Sequence, residues 1–285
     1  MLGSPGFLAL AVVAAALAIA LGVALWLQGR RRGVRRRARV PVRPRYPVVL
    51  VHGVLGFDEL AVGRARTAYF KGIRYALERD GCKVLVPRLP PVGSISTRAE
   101  ALAAALADFD AQRVNVVAHS MGGLDTRLAI SRLGLHRRVV SLVTIGCPHR
   151  GSPIASASHA IARKLGVTAM LAAAGVTMEA FRDLDTARMA RFNEEVPDAR
   201  GVAYASVVGV VRKKRHMNPL LLPSHVWLKR RYGDNDGLVP ASSQRWGEVL
   251  AEVEADHWAQ VGWSRRFDAV GLYESVLREL RAMGF

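Results

Sequence analysis

Arg113-Val114-Asn115-Val116-Val117-Ala118-His119-Ser120-Met121-Gly122-Gly123-Leu124 decides the fold. Val114 to Ala118 is a charge-free run typical of a buried parallel strand, and Leu124 to Leu133 has the spacing of a helix. A serine caught between such a strand and such a helix occupies a sharp, strained turn, so the residues two places to either side must be small. Gly122 meets that requirement on one side; Ala118, where the common pattern has glycine, is a modest departure. The helix that follows aims its N-terminus at Ser120, placing unpaired N–H groups and positive dipole where an oxyanion would develop. The bland alternative is a glycine-rich turn carrying an incidental serine. The strand–turn–helix setting favours a nucleophile.

Outward from this stretch, strands and helices alternate. Tyr46 to His52, Lys83 to Pro87, Val139 to Ile145 and Val202 to Val211 read as strands, with Leu250 to Glu254 a weaker candidate. Ala68 to Asp80 reads as a helix with Tyr69, Ile73, Ala76 and Leu77 on one face. Thr97 to Phe109 reads as another, with Thr97 and Glu100 placed as a capping box. Residues 154–195 look largely helical, and Phe267 to Met283 is a closing helix. This alternation predicts an α/β class with a mostly parallel sheet covered by helices on both faces.

Three further stretches supply chemistry. His52-Gly53-Val54-Leu55-Gly56 follows the first strand. A tetrahedral oxyanion needs two N–H donors; Met121, after the nucleophile, offers one, and Val54 in this earlier loop offers the other. His52 reads as a structural side chain holding that loop, because the base of such a site comes last in the chain. Gly233-Asp234-Asn235-Asp236-Gly237 is a turn after a late strand, where the orienting carboxylate belongs; Asp234 and Asp236 both qualify. His257, in Ala255-Asp256-His257-Trp258, follows that turn and is the candidate base. Asp256 is adjacent to it and badly placed to orient its ring.

The chain has 285 residues and a net charge of +18. Residues 1–45 hold nine Arg and no acid, so half of the excess lies there. Phe7 to Leu27 is a 21-residue run without a charge. As a helix it would be about 31 Å long, enough to cross a bilayer core. The positive charge follows the apolar run, and residues 1–6 carry no basic side chain, which opposes a cleaved signal peptide and predicts an uncleaved anchor with the remaining chain on the cytoplasmic side. Export with residues 1–29 as a signal is the alternative. The organisation expected is an anchor over 1–29, an Arg-rich linker over 30–45 that attracts anionic headgroups, and one catalytic domain over 46–285. The basic run lacks the aromatic interleaving of a nucleic-acid surface. Two Cys exclude a disulfide scaffold and a Cys-only structural zinc site.

The chain resembles the bacterial triacylglycerol lipases of the Pseudomonas and Burkholderia type, members of the α/β-hydrolase superfamily. The matching stretches are Val51 to Asp58, Tyr69 to Ile73, Val114 to Gly123, Gly146 to Ser152, Ala190 to Asn193 and Asn235 to Val239. The resemblance implies Ser120 as nucleophile, Asp236 as orienting acid, His257 as base, and Val54 and Met121 as oxyanion donors. It also implies a helical lid over about 153–190, which an ordinary packed cap would explain equally well. The expected activity is hydrolysis of lipid esters at a membrane, without metal or organic cofactor. Acyl transfer or thioester hydrolysis uses the same triad, and a catalytically dead scaffold is the reading from another class. Two departures stand out. The relatives' calcium site has an Asp two residues after the base, where this chain has Ala259, and no carboxylate lies within His216 to Leu222. Cys82 and Cys147 read as buried small residues in place of the relatives' disulfide.

Overall fold

The computed structural model describes residues 42–54, 59–62, 65–157 and 179–285. The chain enters through strand β1 (Val48–Val51), makes an antiparallel hairpin of β2 (Glu59–Val62) and β3 (Ala65–Ala68), and continues through β4 (Val84–Leu85), β5 (Val114–His119), β6 (Val139–Ile145), β7 (Ala203–Val210) and β8 (Glu248–Glu254). Apart from the hairpin these strands form one parallel sheet in the order β4-β1-β5-β6-β7-β8. Helices α1 (Ile73–Arg79), α2 (Ile95–Ala107), α3 (Gly122–Arg132), α4 (Glu179–Asp183), α5 (Thr186–Glu195), α6 (Leu222–Tyr232), α7 (Ala241–Gln244) and α8 (Ala269–Ala282) fill the connections.

The period-two alternation of strand side chains sorts the core into two layers. Val48, Leu50, Val117, Val143 and Ile145 face one side, where Ile73 and Leu77 of α1 and Tyr273, Val276 and Leu277 of α8 cover them. Val49, Val51, Val116, Ala118 and Leu142 face the other, against Ala99, Leu102 and Leu106 of α2 and Ala129 and Ile130 of α3. Both faces of β1 and β5 are therefore dry, which is why their sequences are continuous apolar runs and not alternating ones. Each large side chain buried this way contributes roughly 1.5–3 kcal/mol. Asn115 is a polar residue in the body of β5, and the Ser141 hydroxyl of β6 donates to its Oδ1 at 2.7 Å.

The strands of the parallel sheet and the closing helix form where the sequence places them, with β4 shorter and β8 longer than expected, while the β2–β3 hairpin was not expected. Two local expectations are corrected. The helix expected from Ala68 begins only at Ile73: Ala68 closes β3, and Gly72 holds a left-handed backbone (φ 72°) that no helix interior accepts. Tyr69 therefore lies off the helix face it shares by spacing. The second helix is capped by Ser94, whose Oγ accepts from the Thr97 N–H at 3.2 Å. Thr97 stands in the first turn and caps nothing. Residues 153–157 and helices α4 and α5 are helical as expected, while 158–178 of the expected lid, the expected membrane span over 7–27 and most of the Arg-rich linker lie outside the described residues. Among the described residues no helix is long and apolar enough to cross a membrane.

Candidate active site

Parallel strands end on a common edge, and loops leaving the C-terminal ends of β1, β5, β7 and β8 meet there. Ser120 is the only non-glycine described residue with positive φ, at 56°. Its N–H donates to the Ile145 carbonyl at 2.9 Å, which ties the turn to β6, and the chain then enters α3. Space around it is minimal. A Cβ on Gly122 would come within 2.7 Å of the Val51 carbonyl oxygen, and one on Gly53 within 2.7 Å of the Ser120 Cβ. The His52-Gly53-Val54 loop is thus pressed directly onto Ser120. Met121 is at the N-cap position of α3, so its amide belongs to the group of helix-start N–H donors without intrahelical partners. Val54 packs against the same apolar cluster as Met121.

The loop is held from behind. His52 is fully buried; its Nδ1 donates to the Gly53 carbonyl at 3.0 Å and its Nε2 accepts from Leu89 N–H at 3.4 Å. Burial lowers its pKa to about 4. This is the structural role expected of it. Sequence reasoning missed Arg98 of α2. Its guanidinium, 0% exposed, donates to the His52 carbonyl (2.6 Å), the Pro90 carbonyl (2.5 Å) and the Asp125 carboxylate (2.8 Å).

Asp236 and His257 are brought together. Asp236 Oδ2 accepts from His257 Nδ1 at 2.7 Å, and the His257 N–H donates to the Asp236 carbonyl at 2.9 Å. The carboxylate, 0% exposed, also accepts from Leu238 N–H (3.0 Å), Val239 N–H (2.8 Å) and Gln260 Nε2 (3.1 Å). Asn235 shapes the turn that carries it: Oδ1 accepts from Gly237 N–H at 2.9 Å and pairs with His225 Nδ1 of α6 at 2.8 Å. Asp234 faces outward to Lys229 and Arg212. Asp256 does not touch the His257 ring; its carboxylate accepts from the N–H groups of Asn218 (2.8 Å), Trp258 (3.0 Å) and Ala259 (2.8 Å). The ring of His119, the residue before Ser120, has its centroid 4.5 Å from that of His257.

Tyr69, His119 and Gln260 are the other residues that sequence reasoning passed over. Tyr69 Oη is 2.7 Å from His119 Nδ1, and His119 Nε2 is 3.1 Å from the His257 carbonyl oxygen. Gln260 lies between Gly146 and Gly209, where a Cβ on either would overlap its amide. The spacing of these glycines from Gln260 left no local pattern to find. The Gly146 to Ser152 motif is a brace: His149 Nε2 pairs with Thr144 Oγ1 at 2.9 Å, and Asn193 Nδ2 donates to the His149 carbonyl at 2.8 Å. Cys82 and Cys147 are buried and unbridged. The calcium site of the resembled lipases does not fit here. The Asp256 carboxylate is already engaged by three N–H groups, and positions 218 and 259 offer it backbone donors, not cation ligands.

The alpha/beta hydrolase family profile matches residues 48–270, and the chain belongs to that family. Within it, the chain is similar to several triacylglycerol lipases. The chain is 28% identical over 270 residues to triacylglycerol lipase 2 of Saccharomyces cerevisiae, covering 78% of this chain and 82% of that protein. It is 27% identical to a triacylglycerol lipase of Pseudomonas fragi, covering 85% and 98%, and 29% identical to one of Burkholderia plantarii, covering 75% and 77%. The fold is shared with the mature Bacillus licheniformis lipase BlEst2, with a TM-score of 0.66 at 21% identity, covering 88% of this chain and 96% of that one.

Proposed function

We propose that the protein is a serine hydrolase of lipid carboxylic esters, working through an acyl-enzyme on Ser120. The observation that carries this reading is the buried Asp236–His257 hydrogen bond on the sheet edge where Ser120 holds its left-handed turn. His257 takes the proton of Ser120 Oγ as that oxygen attacks the ester carbonyl, then gives it to the departing alcohol. Asp236 fixes the imidazole tautomer, since Nδ1–H points at its carboxylate and leaves Nε2 as the base. The amides of Val54 and Met121 receive the oxyanion. Water, deprotonated by His257, then attacks the acyl-enzyme and releases the fatty acid, restoring Ser120. Residues about 153–190 form a lid over the acyl site. Residues 7–27 anchor the protein, and the Arg run after them keeps the catalytic domain on the cytoplasmic side, next to anionic headgroups.

Two experiments test this. A fluorophosphonate probe should label the wild type at Ser120 and leave Ser120→Ala unlabelled, and a panel of glycerides, phospholipids and acyl thioesters should show turnover of oxygen esters. No labelling, or turnover confined to thioesters, overturns the reading. Protease added to intact spheroplasts should spare the catalytic domain; its digestion from outside would reverse the assigned topology.

A further inference from the structure

His119 is a fully buried titratable group that takes no part in the proton transfers above, yet it touches the base. Its environment permits one arrangement of hydrogens. Nε2 faces the His257 carbonyl oxygen at 3.1 Å, and a carbonyl only accepts, so Nε2 carries the hydrogen. Burial, reinforced by the neighbouring His257, holds the pKa of the ring well below 6.5, so the imidazole is neutral and Nδ1 presents only a lone pair. Tyr69 Oη, 2.7 Å from that lone pair, must then be the donor. Burial pushes the tyrosine pKa up, so the proton it donates stays on it. The Gly53 N–H, 3.3 Å away, in turn donates to the tyrosine oxygen.

We infer that Tyr69 and His119 form a directional hydrogen-bond relay that fastens the loop carrying the Val54 amide to the backbone of His257, making both of them positioning residues for acyl transfer. The inference rests on the reading of Ser120 and His257 as nucleophile and base. The relay runs Gly53 N–H to Tyr69, Tyr69 O–H to His119, and His119 N–H to the His257 carbonyl. Its two ends are the oxyanion donor and the base, the two groups that must keep station around one tetrahedral centre. Arg98 holds the same loop through the His52 carbonyl, from the α2 side. The relay holds it one residue further on, next to Val54. On the acid's side, Gln260 Nε2 donates to Asp236 at 3.1 Å.

A brace of this kind acts on the transition state more than on substrate binding, because the oxyanion exists only there. Losing a whole oxyanion donor costs about 10²–10³ in kcat, so loosening one should cost about tenfold or somewhat more. The test uses hydrolysis of p-nitrophenyl butyrate by the full chain carrying Tyr69→Phe, His119→Leu and both changes. Each single variant should lose roughly tenfold in kcat with KM within about twofold, and the double variant should fall no further than the worse single, since either change breaks the same relay. Multiplying losses in the double variant, or a Tyr69→Phe rate equal to the wild type, overturns the relay. Where a His119 variant fails to fold, imidazole nitrogen NMR of the wild type decides. The relay requires a neutral His119 with an unprotonated Nδ1, and a protonated Nδ1 refutes it. Fluorophosphonate labelling of the wild type is run beside these assays. A wild type that neither labels nor hydrolyses ester removes the reading beneath the relay, whereas an active wild type with an unaffected Tyr69→Phe removes the relay alone.

Discussion

At the scale of single residues, the two acids of the Gly233 to Gly237 turn separate by environment. Asp236 is buried and spends its carboxylate on His257 and three other donors. Asp234, two residues earlier, is partly exposed and held by Lys229 and Arg212. Those surface pairs lower its pKa, first through the Lys229 hydrogen bond, and contribute little to stability in water. Asp236→Asn should therefore lower kcat by several orders of magnitude, because an amide there presents an N–H toward Nδ1 or leaves the wrong tautomer of His257. Asp234→Asn should stay within about threefold of the parent. Steady-state kinetics on a soluble ester checks both, and a crippled Asp234→Asn would make Asp234, not Asp236, the orienting acid.

Helix α2 holds the His52 to Val54 loop through the Arg98 side chain. The Arg98 guanidinium fills three acceptors at once, a geometry that a lysine ammonium on a flexible stem cannot reproduce. Both Arg98 and Asp125 are 0% exposed. Removing one partner of such a pair strands the other charge and costs about 3–5 kcal/mol, while replacing both by apolar groups is often near neutral. Arg98→Met should accordingly unfold at markedly lower urea concentration, and Arg98→Met with Asp125→Leu should recover most of that loss. Activity should not follow stability, because the His52 carbonyl still lacks its donor. Full recovery of kcat in the double variant would show that α2 contributes packing alone. The same helix shows what local sequence conveys. Its apolar face, Ala99, Leu102 and Leu106, is visible in the spacing. Its cap was misassigned by three residues, since Ser94 and Thr97 are both capping types and only the backbone of Ser94 is extended.

For the molecule as a whole, the sheet was legible because burial on two faces forces charge-free runs, and β1, β5 and β6 are such runs. The elbow was legible because Ala118, Ser120 and Gly122 stand at fixed spacing within one strand–turn–helix stretch, although the contacts that enforce it, such as the Val51 carbonyl against Gly122, come from far off. Tyr69, His119 and Gln260 were not, because their partners come from strands and loops far off in sequence and leave no period. Tyr69 in particular has helical spacing to Ile73, and only the left-handed Gly72 removes it from the helix. The buried titratable groups set the response of the whole fold to acid. His52, His119 and His149 all have pKa values lowered by burial, that of His52 from 6.5 to about 4. A depressed value means that the unfolded chain binds protons first. The stabilisation is complete above about pH 6.5 and is lost as pH falls toward the folded values. Asp125, raised to about 7, and Asp256, also raised, both chiefly by burial, act in the opposite sense. The three imidazoles outnumber the two carboxylates, so unfolding takes up protons on balance, each worth up to about 1.4 kcal/mol per pH unit. Melting temperature should therefore fall on acidification from pH 6.5 to 4, with net proton uptake in calorimetry run in buffers of different ionisation heat. A melting temperature that rises over this range would mean that the carboxylates outweigh the histidines.

The left-handed turn at Ser120 has a consequence for durability. An L-residue held there costs the native state about 1–2 kcal/mol, drawn from a total folding free energy of only about 5–15 kcal/mol. Glycine escapes that cost, though it gives back about 0.5–1 kcal/mol through the freer unfolded chain. Ser120→Gly should thus be inactive and yet melt at or slightly above the parent temperature, while Ser120→Ala, which keeps a Cβ in the same conformation, should show no such gain. A glycine variant that melts well below the alanine one would mean that the turn is relaxed. Otherwise the chain gives up thermal headroom at the position proposed to carry its chemistry, and a version selected for endurance alone would replace Ser120 first.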